Sequence, residues 1–239
     1  MILPNVSVSI TGKPKSGKNY LAYTFPDPIR VFCFNRGADY IKKFFPQKQI
    51  DVINIALPIL ESTEPSTWAT PIWDKFDAQY KKDIASKVYK TYVIDTGTEL
   101  ENVCAQAVLE FVSDAAVARG KDEREKLATN EYRGRNMRMS AVFQRCMEAG
   151  CNFVTLQYVR EKWIKDGSGS AKPTGEMVLD GWAQTEAQVD IPLEIEEHQK
   201  GDKSVCTVTI KANRFDRTSN RKTYDDTSYE ELMAVLLGG

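Results

Sequence analysis

Eight residues near the start of the chain, Gly12-Lys13-Pro14-Lys15-Ser16-Gly17-Lys18-Asn19, place two glycines and a lysine at a spacing suited to gripping a polyphosphate. Such a ligand needs many backbone N–H donors at close range, and glycine lets the backbone turn and approach where a side chain would block it. Lys18 can reach the terminal phosphates as a compact positive charge. The eighth position of such a loop ordinarily carries Ser or Thr, whose hydroxyl binds Mg²⁺; here it is Asn19. The predicted cradle is Gly12, Lys13, Pro14, Lys15, Ser16, Gly17, Lys18, Asn19 and Tyr20. A side-chain amide oxygen is an acceptable hard ligand, so Asn19 is a candidate metal ligand, with weakened coordination and slowed turnover as the expected cost.

A Mg²⁺ shell also needs a carboxylate. Val93-Ile94-Asp95 supplies one at the end of an apolar run. Asp95 is the second candidate metal ligand.

These residues need elements to hold them. Val6, Val8 and Ile10 alternate with Asn5, Ser7, Ser9 and Thr11, the period of a strand. Leu21 and Ala22 follow Lys18, and Phe25-Pro26 stops that segment, so a helix is predicted over 17–24. Strand, glycine loop, helix is the setting the motif requires. Further strands are predicted at 29–34, 51–56, 91–94, 153–156, 188–196 and 205–211. Helices are predicted at 40–45, 73–87, 99–118 and 131–148, with a short amphipathic one over the last ten residues. Residues 57–70 read as a loop, 119–130 as a charged loop or a mobile helix end, and 160–178 as a basic, flexible loop or hairpin. Strands alternating with helices predict a mainly parallel central sheet flanked by helices, with antiparallel C-terminal strands. The expectation is one α/β domain over 1–239.

Bulk properties narrow the function classes. The chain has 239 residues, 42% hydrophobic, with net charge −1 and pI about 6.0. A constitutively basic nucleic-acid-binding domain is excluded, so any such contact must come from local patches. No run approaches the ~20 apolar residues of a membrane span, and the N-terminus lacks a secretion pattern. The five cysteines are odd in number and scattered. Cys33, Cys146 and Cys206 lie in apolar segments and read as buried thiols in a reducing cytoplasm. The single histidine, His198, reads as a solvated turn residue and excludes a His-rich metal site.

Four features occur in order: the loop at 12–19, Ile94-Asp95, Val154-Thr155-Leu156-Gln157, and Lys211-Ala212-Asn213-Arg214. Together they resemble the RecA-like P-loop ATPases, particularly small phage-encoded ones linked to single-strand annealing and recombination. The resemblance covers most of the chain as a short RecA core. It implies ATP and Mg²⁺ as cofactors and catalytic roles for Lys18, Asp95, Gln157, Lys211 and Arg214. Gln157 would sense the γ-phosphate and report it to the adjoining loop. Lys211 and Arg214 would reach a neighbouring subunit's nucleotide, making hydrolysis depend on assembly into a ring or filament. The family's catalytic glutamate normally lies just past the second strand, but that stretch here reads Phe34-Asn35-Arg36-Gly37-Ala38-Asp39. Asp39 and Glu99 are substitutes for orienting water.

The resemblance also implies single-stranded DNA as a partner. Arg160, Lys162, Lys165 and Lys172 would track phosphate while Trp163, with Trp182 nearby, stacks bases. Arg133, Arg135, Arg138 and Arg145 would widen the basic surface. The implied work is phage recombination or strand annealing in the host cytoplasm, alongside a single-strand-binding protein, with weak DNA-dependent ATP hydrolysis. A nucleotide-gated binding or structural module without hydrolysis, and a nucleotide kinase, remain the alternatives.

Overall fold

The structure is a computed structural model that describes residues 5–59, 67–165, 167 and 170–236. Its centre is β1 (Ser7–Thr11), wholly buried. Its odd-numbered polar residues face one side of the sheet, while Val8 and Ile10 face the other, as the strand period requires. The glycine loop leads into α1 (Lys18–Tyr23), then come β2 (Ile29–Cys33), α2 (Ala38–Lys42), β3 (Ile50–Asn54), α3 (Ala69–Ser86) and β4 (Thr91–Asp95). Two long helices follow, α4 (Gly97–Val117) and α5 (Tyr132–Glu148), then the hairpin strands β5 (Asn152–Lys165) and β6 (Ala171–Asp180). A short helix α6 (Thr185–Gln188) precedes β7 (Ile191–Lys200), β8 (Lys203–Ile210), β9 (Thr223–Asp225) and α7 (Tyr229–Leu236).

The strands form one sheet in the order β3-β2-β4-β5-β1-β7-β8-β9, with β6 paired to β5. The six strands from β3 to β7 run parallel, and β8, β9 and β6 are antiparallel to their neighbours. The predicted fold class is therefore the observed one. Alternate residues feed two cores. Val8, Ile10, Val31, Val93 and Leu156 pack with Leu21 of α1 and Leu232 of α7. Phe32, Tyr92, Ile94 and Phe153 pack on the other face with Phe76 of α3, Leu100 of α4 and Phe143 of α5. Burial on both faces explains why the parallel strands read as nearly continuous apolar runs.

Several expectations need adjustment. For 160–178 the hairpin alternative is the observed one: β5 runs past its buried stretch and pairs antiparallel with β6. Three of its expected loop residues, Asp166, Ser168 and Gly169, lie outside the described residues, as do 60–66 of the loop expected over 57–70. Trp182 is buried against Phe143 and donates from Nε1 to Asn136 Oδ1 at 3.0 Å, so it is a core residue and not a stacking face. His198 sits in β7 near Glu196 and not in a turn. Cys206 is half-buried, whereas Cys33 and Cys146 are fully inside. No helix among the described residues is long and apolar enough to cross a membrane.

Candidate nucleotide-binding site

The loop after β1 is held tightly on its sheet. Gly12 N–H donates to Gln157 O at 3.2 Å, and a Cβ on Gly12 would stand 2.4 Å from Ile195 O of β7. Only glycine fits there. The chain then turns, with Ser16 N–H donating to Lys13 O at 3.3 Å. Gly17, at φ 91°, caps α1 in the left-handed region, where glycine is unstrained. A Cβ on Gly17 would also meet Cys206 Sγ at 2.7 Å.

The loop turns Lys18 inward. It is 5% exposed, and its ammonium donates to Gly12 O at 2.9 Å and Lys13 O at 2.6 Å while lying 5.0 Å from the Tyr158 ring centre. Burial lowers its pKa to about 8, and the charge of Asp95 opposes the fall. The Ser16 hydroxyl is buried without a hydrogen-bond partner. Asp95 closes the opposite wall. Its Oδ2 accepts from Asn19 Nδ2 at 2.6 Å and its Oδ1 from Asn35 Nδ2 at 3.0 Å. Burial raises the Asp95 pKa, while the two amides and Lys18 pull it down. Lys15 to Tyr20, Asn35, Asp95 and Tyr158 line a cavity of about 530 Å³, within the range that small ligands occupy.

The residues present fit a triphosphate. A buried hydroxyl with an unmet bond, two glycines with no room for a Cβ, and an inward ammonium all suit a polyanion. They also fit Mg²⁺ in its usual manner, one carboxylate with phosphate oxygens completing the shell. Among the described residues no three His, Cys, Asp or Glu gather into a cation site of their own. Asp95 and the Asn19 amide oxygen are the side chains that would hold the ion.

The other expected site residues fall elsewhere. Gln157 pairs in register with Thr11 at the mouth of the loop, but its side chain points to the α4 face. There Nε2 donates to Thr185 Oγ1 at 3.2 Å, and Oε1 has no partner. Gln157 does not line the Lys18 cavity, because one step along a strand reverses the face. Tyr158 takes that place, and its hydroxyl lies 3.4 Å from Asn35 Nδ2. Asn35 and Tyr158 are the site residues that sequence reasoning missed. Asp39 accepts from Asn54 at 2.8 Å, Glu99 serves the first turn of α4, and neither lines the cavity.

Lys211 and Arg214 follow β8, next to the start of β7, at the opposite end of the sheet from the loop. Lys211 is paired with Glu186, and Arg214 with Asp190 at 2.9 Å. On the hairpin, Arg160 lies 3.5 Å from Asp180 and Lys162 2.7 Å from Glu176. Trp163 is exposed, and Lys165 and Lys172 lie beyond it towards the tip. Of the α5 arginines, Arg135 binds Glu101, Arg145 binds Asp77 and Arg138 lies over Trp73, while Arg133 is exposed.

The fold is similar to that of a KaiC-like protein from the hyperthermophilic archaeon Pyrococcus horikoshii OT3, with a TM-score of 0.50 and 13% identity over 93% of this chain and 85% of that one. No curated protein matches the chain. A family profile described as an AAA domain matches residues 4–224, nearly the whole chain. With the glycine loop, inward lysine and strand-end aspartate all in place, this P-loop ATPase fold belongs to the AAA domain family.

Proposed function

We propose that the chain binds ATP in the cradle of Gly12 to Asn19 and hydrolyses it slowly. The observation that carries this is the unmet bonding capacity of the loop: the Ser16 hydroxyl lacks a partner, and Lys18 is spent on its own loop's carbonyls. Moving the Lys18 ammonium from those carbonyls to a phosphate exchanges neutral acceptors for charged ones, which strengthens the bonds. Mg²⁺, when bound, neutralises phosphate charge. Slow turnover follows from the lining. Asp95 is its one acidic residue among the described ones, and both of its oxygens already accept amide hydrogens. Asn35 stands where the resemblance calls for glutamate, and an amide cannot take a proton from water.

The test is titration of a fluorescent ATP analogue with Mg²⁺ into wild type and Lys18→Ala, with phosphate release measured in parallel. Loss of a charged bond worth about 1.5–3 kcal/mol predicts roughly 10- to 150-fold weaker binding in the variant. Equal affinity in both proteins would end this reading. Tight binding with no phosphate release above the Lys18→Ala background would favour the non-hydrolysing module.

A second reading places single-stranded DNA on the β5–β6 hairpin, in an assembly used for phage recombination or strand annealing beside a single-strand-binding protein. Its support is the exposed Trp163 on a strand that continues directly from Tyr158 of the cavity. The pairing of Arg160 and Lys162 with acids weakens the electrostatic part. In the same reading, Lys211 or Arg214 would serve a neighbouring subunit only after leaving its acidic partner. Anisotropy of a labelled oligonucleotide, with and without ATP across a salt series, tests it. Binding should weaken as salt rises, and Trp163→Ala should remove about 1–3 kcal/mol. No anisotropy change in any condition rejects DNA and leaves the nucleotide site standing.

A further inference from the structure

At the far end of the sheet from the loop, α5 ends in a specific closure. Gly150 follows the Ala149 cap at φ 71°. Its N–H donates to Met147 O at 2.9 Å, and Cys151 N–H donates to Cys146 O at 3.2 Å. These are the two crossed bonds of a Schellman motif, which also brings together the side chains at the positions of Cys146 and Cys151. Apolar residues usually meet there; here two thiols do. A disulfide needs Cα atoms roughly 4.4–6.8 Å apart, and the 3.2 Å bond from Cys151 N–H to Cys146 O keeps the two residues side by side.

Both cysteines are buried, Cys146 at 0% and Cys151 at 7% exposure, but Cys151 borders a cavity. Cys146 is wholly buried, its thiol directed to Asn152 O at 3.5 Å. Cys151 lines a cavity of about 510 Å³ with Lys87, Tyr89 and Lys90, and its thiol is 3.5 Å from Tyr89 O.

We propose that Cys146 and Cys151 are a redox-active thiol pair, closing to a disulfide when a peroxide enters the cavity that Cys151 lines. The neighbouring Cys146 side chain, helped by Lys87 and opposed by burial, lowers the Cys151 pKa to about 7, whereas burial pushes Cys146 up. The roles follow, because the thiolate is the nucleophile. Cys151 thiolate attacks one peroxide oxygen, the O–O bond breaks, and the departing hydroxide takes up a proton to become water. The resulting sulfenic acid is attacked by Cys146 sulfur. The S–O bond breaks, and the Cys146 proton leaves with the hydroxyl as a second water. The two thiols lose two electrons and the peroxide gains them. A small thiol reverses the change by exchange.

Both cysteines fall in one tryptic peptide, 146–160, which makes the test direct. The folded protein is treated with hydrogen peroxide, quenched with iodoacetamide in denaturant, digested and weighed. The expected product is that peptide lighter by two hydrogens and free of label, formed at least roughly tenfold faster than Cys104 is lost. Burial holds Cys104 up at about 12, so it serves as the internal reference. In Cys146→Ser the reaction should stop at a Cys151 sulfenic acid that dimedone captures. Finding both cysteines labelled after oxidation, or Cys151 oxidised while Cys146 takes the label, overturns the proposal. The wild-type map decides even if the serine variant folds poorly.

Discussion

Two buried polar groups at opposite ends of the parallel sheet, Asp190 and Ser16, stand in opposite conditions. At the start of the strands, Asp190 Oδ2 accepts from Ser7 N at 3.0 Å and Ser7 Oγ at 2.7 Å, and Oδ1 accepts from Arg214 at 2.9 Å. Through Asp190, just before β7, these bonds tie the start of β1 and the segment after β8 to the start of β7. At the other end, Ser16 has no partner and Lys18 leans on carbonyls of its own loop. Native interiors satisfy nearly all their buried polar groups, so an unmet group marks a place shaped for something else. The first end is a clamp and the second a receptor.

The sharpest way to break this contrast is Gly12→Ala. The new Cβ would stand 2.4 Å from a backbone oxygen, so the loop must move away from β7. Overpacking of this kind costs about 1–3 kcal/mol, and ATP affinity should fall with it by roughly two orders of magnitude, as for loss of a well-made charged contact. Wild-type affinity in a calorimetric titration would mean that the loop is not the receptor. Asp190→Ala probes the clamp. It leaves buried donors of Ser7 unpaired, so denaturant unfolding should show a loss of about 1–3 kcal/mol with ATP affinity unchanged. A fall in affinity instead would show that the two ends are coupled.

Lys18→Met gives an effect of opposite sign and is the most diagnostic. Lys18 has a pKa of about 8 in the fold against 10.5 unfolded, so the unfolded chain binds more protons between those values. The cost to stability is complete below about pH 8 and fades as pH rises through the window to 10.5. After allowance for the two lost carbonyl bonds, Met should raise stability by about 2 kcal/mol at pH 7, with the gain closing towards pH 10.5. A variant less stable than wild type at pH 7 would show that Lys18 belongs to the clamp class after all.

The strand–loop–helix unit around Lys18 was legible because its signals are local: alternation before the loop, glycines within it and an apolar face after it. Asp95 was legible as the end of an apolar run. Asn35 and Tyr158 were not, since they join the cavity only through the pairing of β2 with β4 and of β4 with β5. Gln157 shows the limit clearly. Its position at the strand end is local, but the face its side chain takes depends on register with β1, and a strand's period of two leaves no middle ground. For β6 the sequence left loop and hairpin open, because most of its residues are exposed, which removes the hydrophobic alternation that marks strands.

One further property follows from the continuity of β5. It is a strand of 14 residues, held in the parallel sheet over its first half and paired only with β6 over its second, with a register shift between Glu161 and Trp163. Lys165 lies seven residues beyond Tyr158, about 23 Å at 3.3 Å per residue, so a tilt of roughly 5° where Tyr158 meets Lys18 sweeps the tip by about 2 Å. Any tilt of β5 beside the loop would therefore be larger at the hairpin's outer end than at Tyr158.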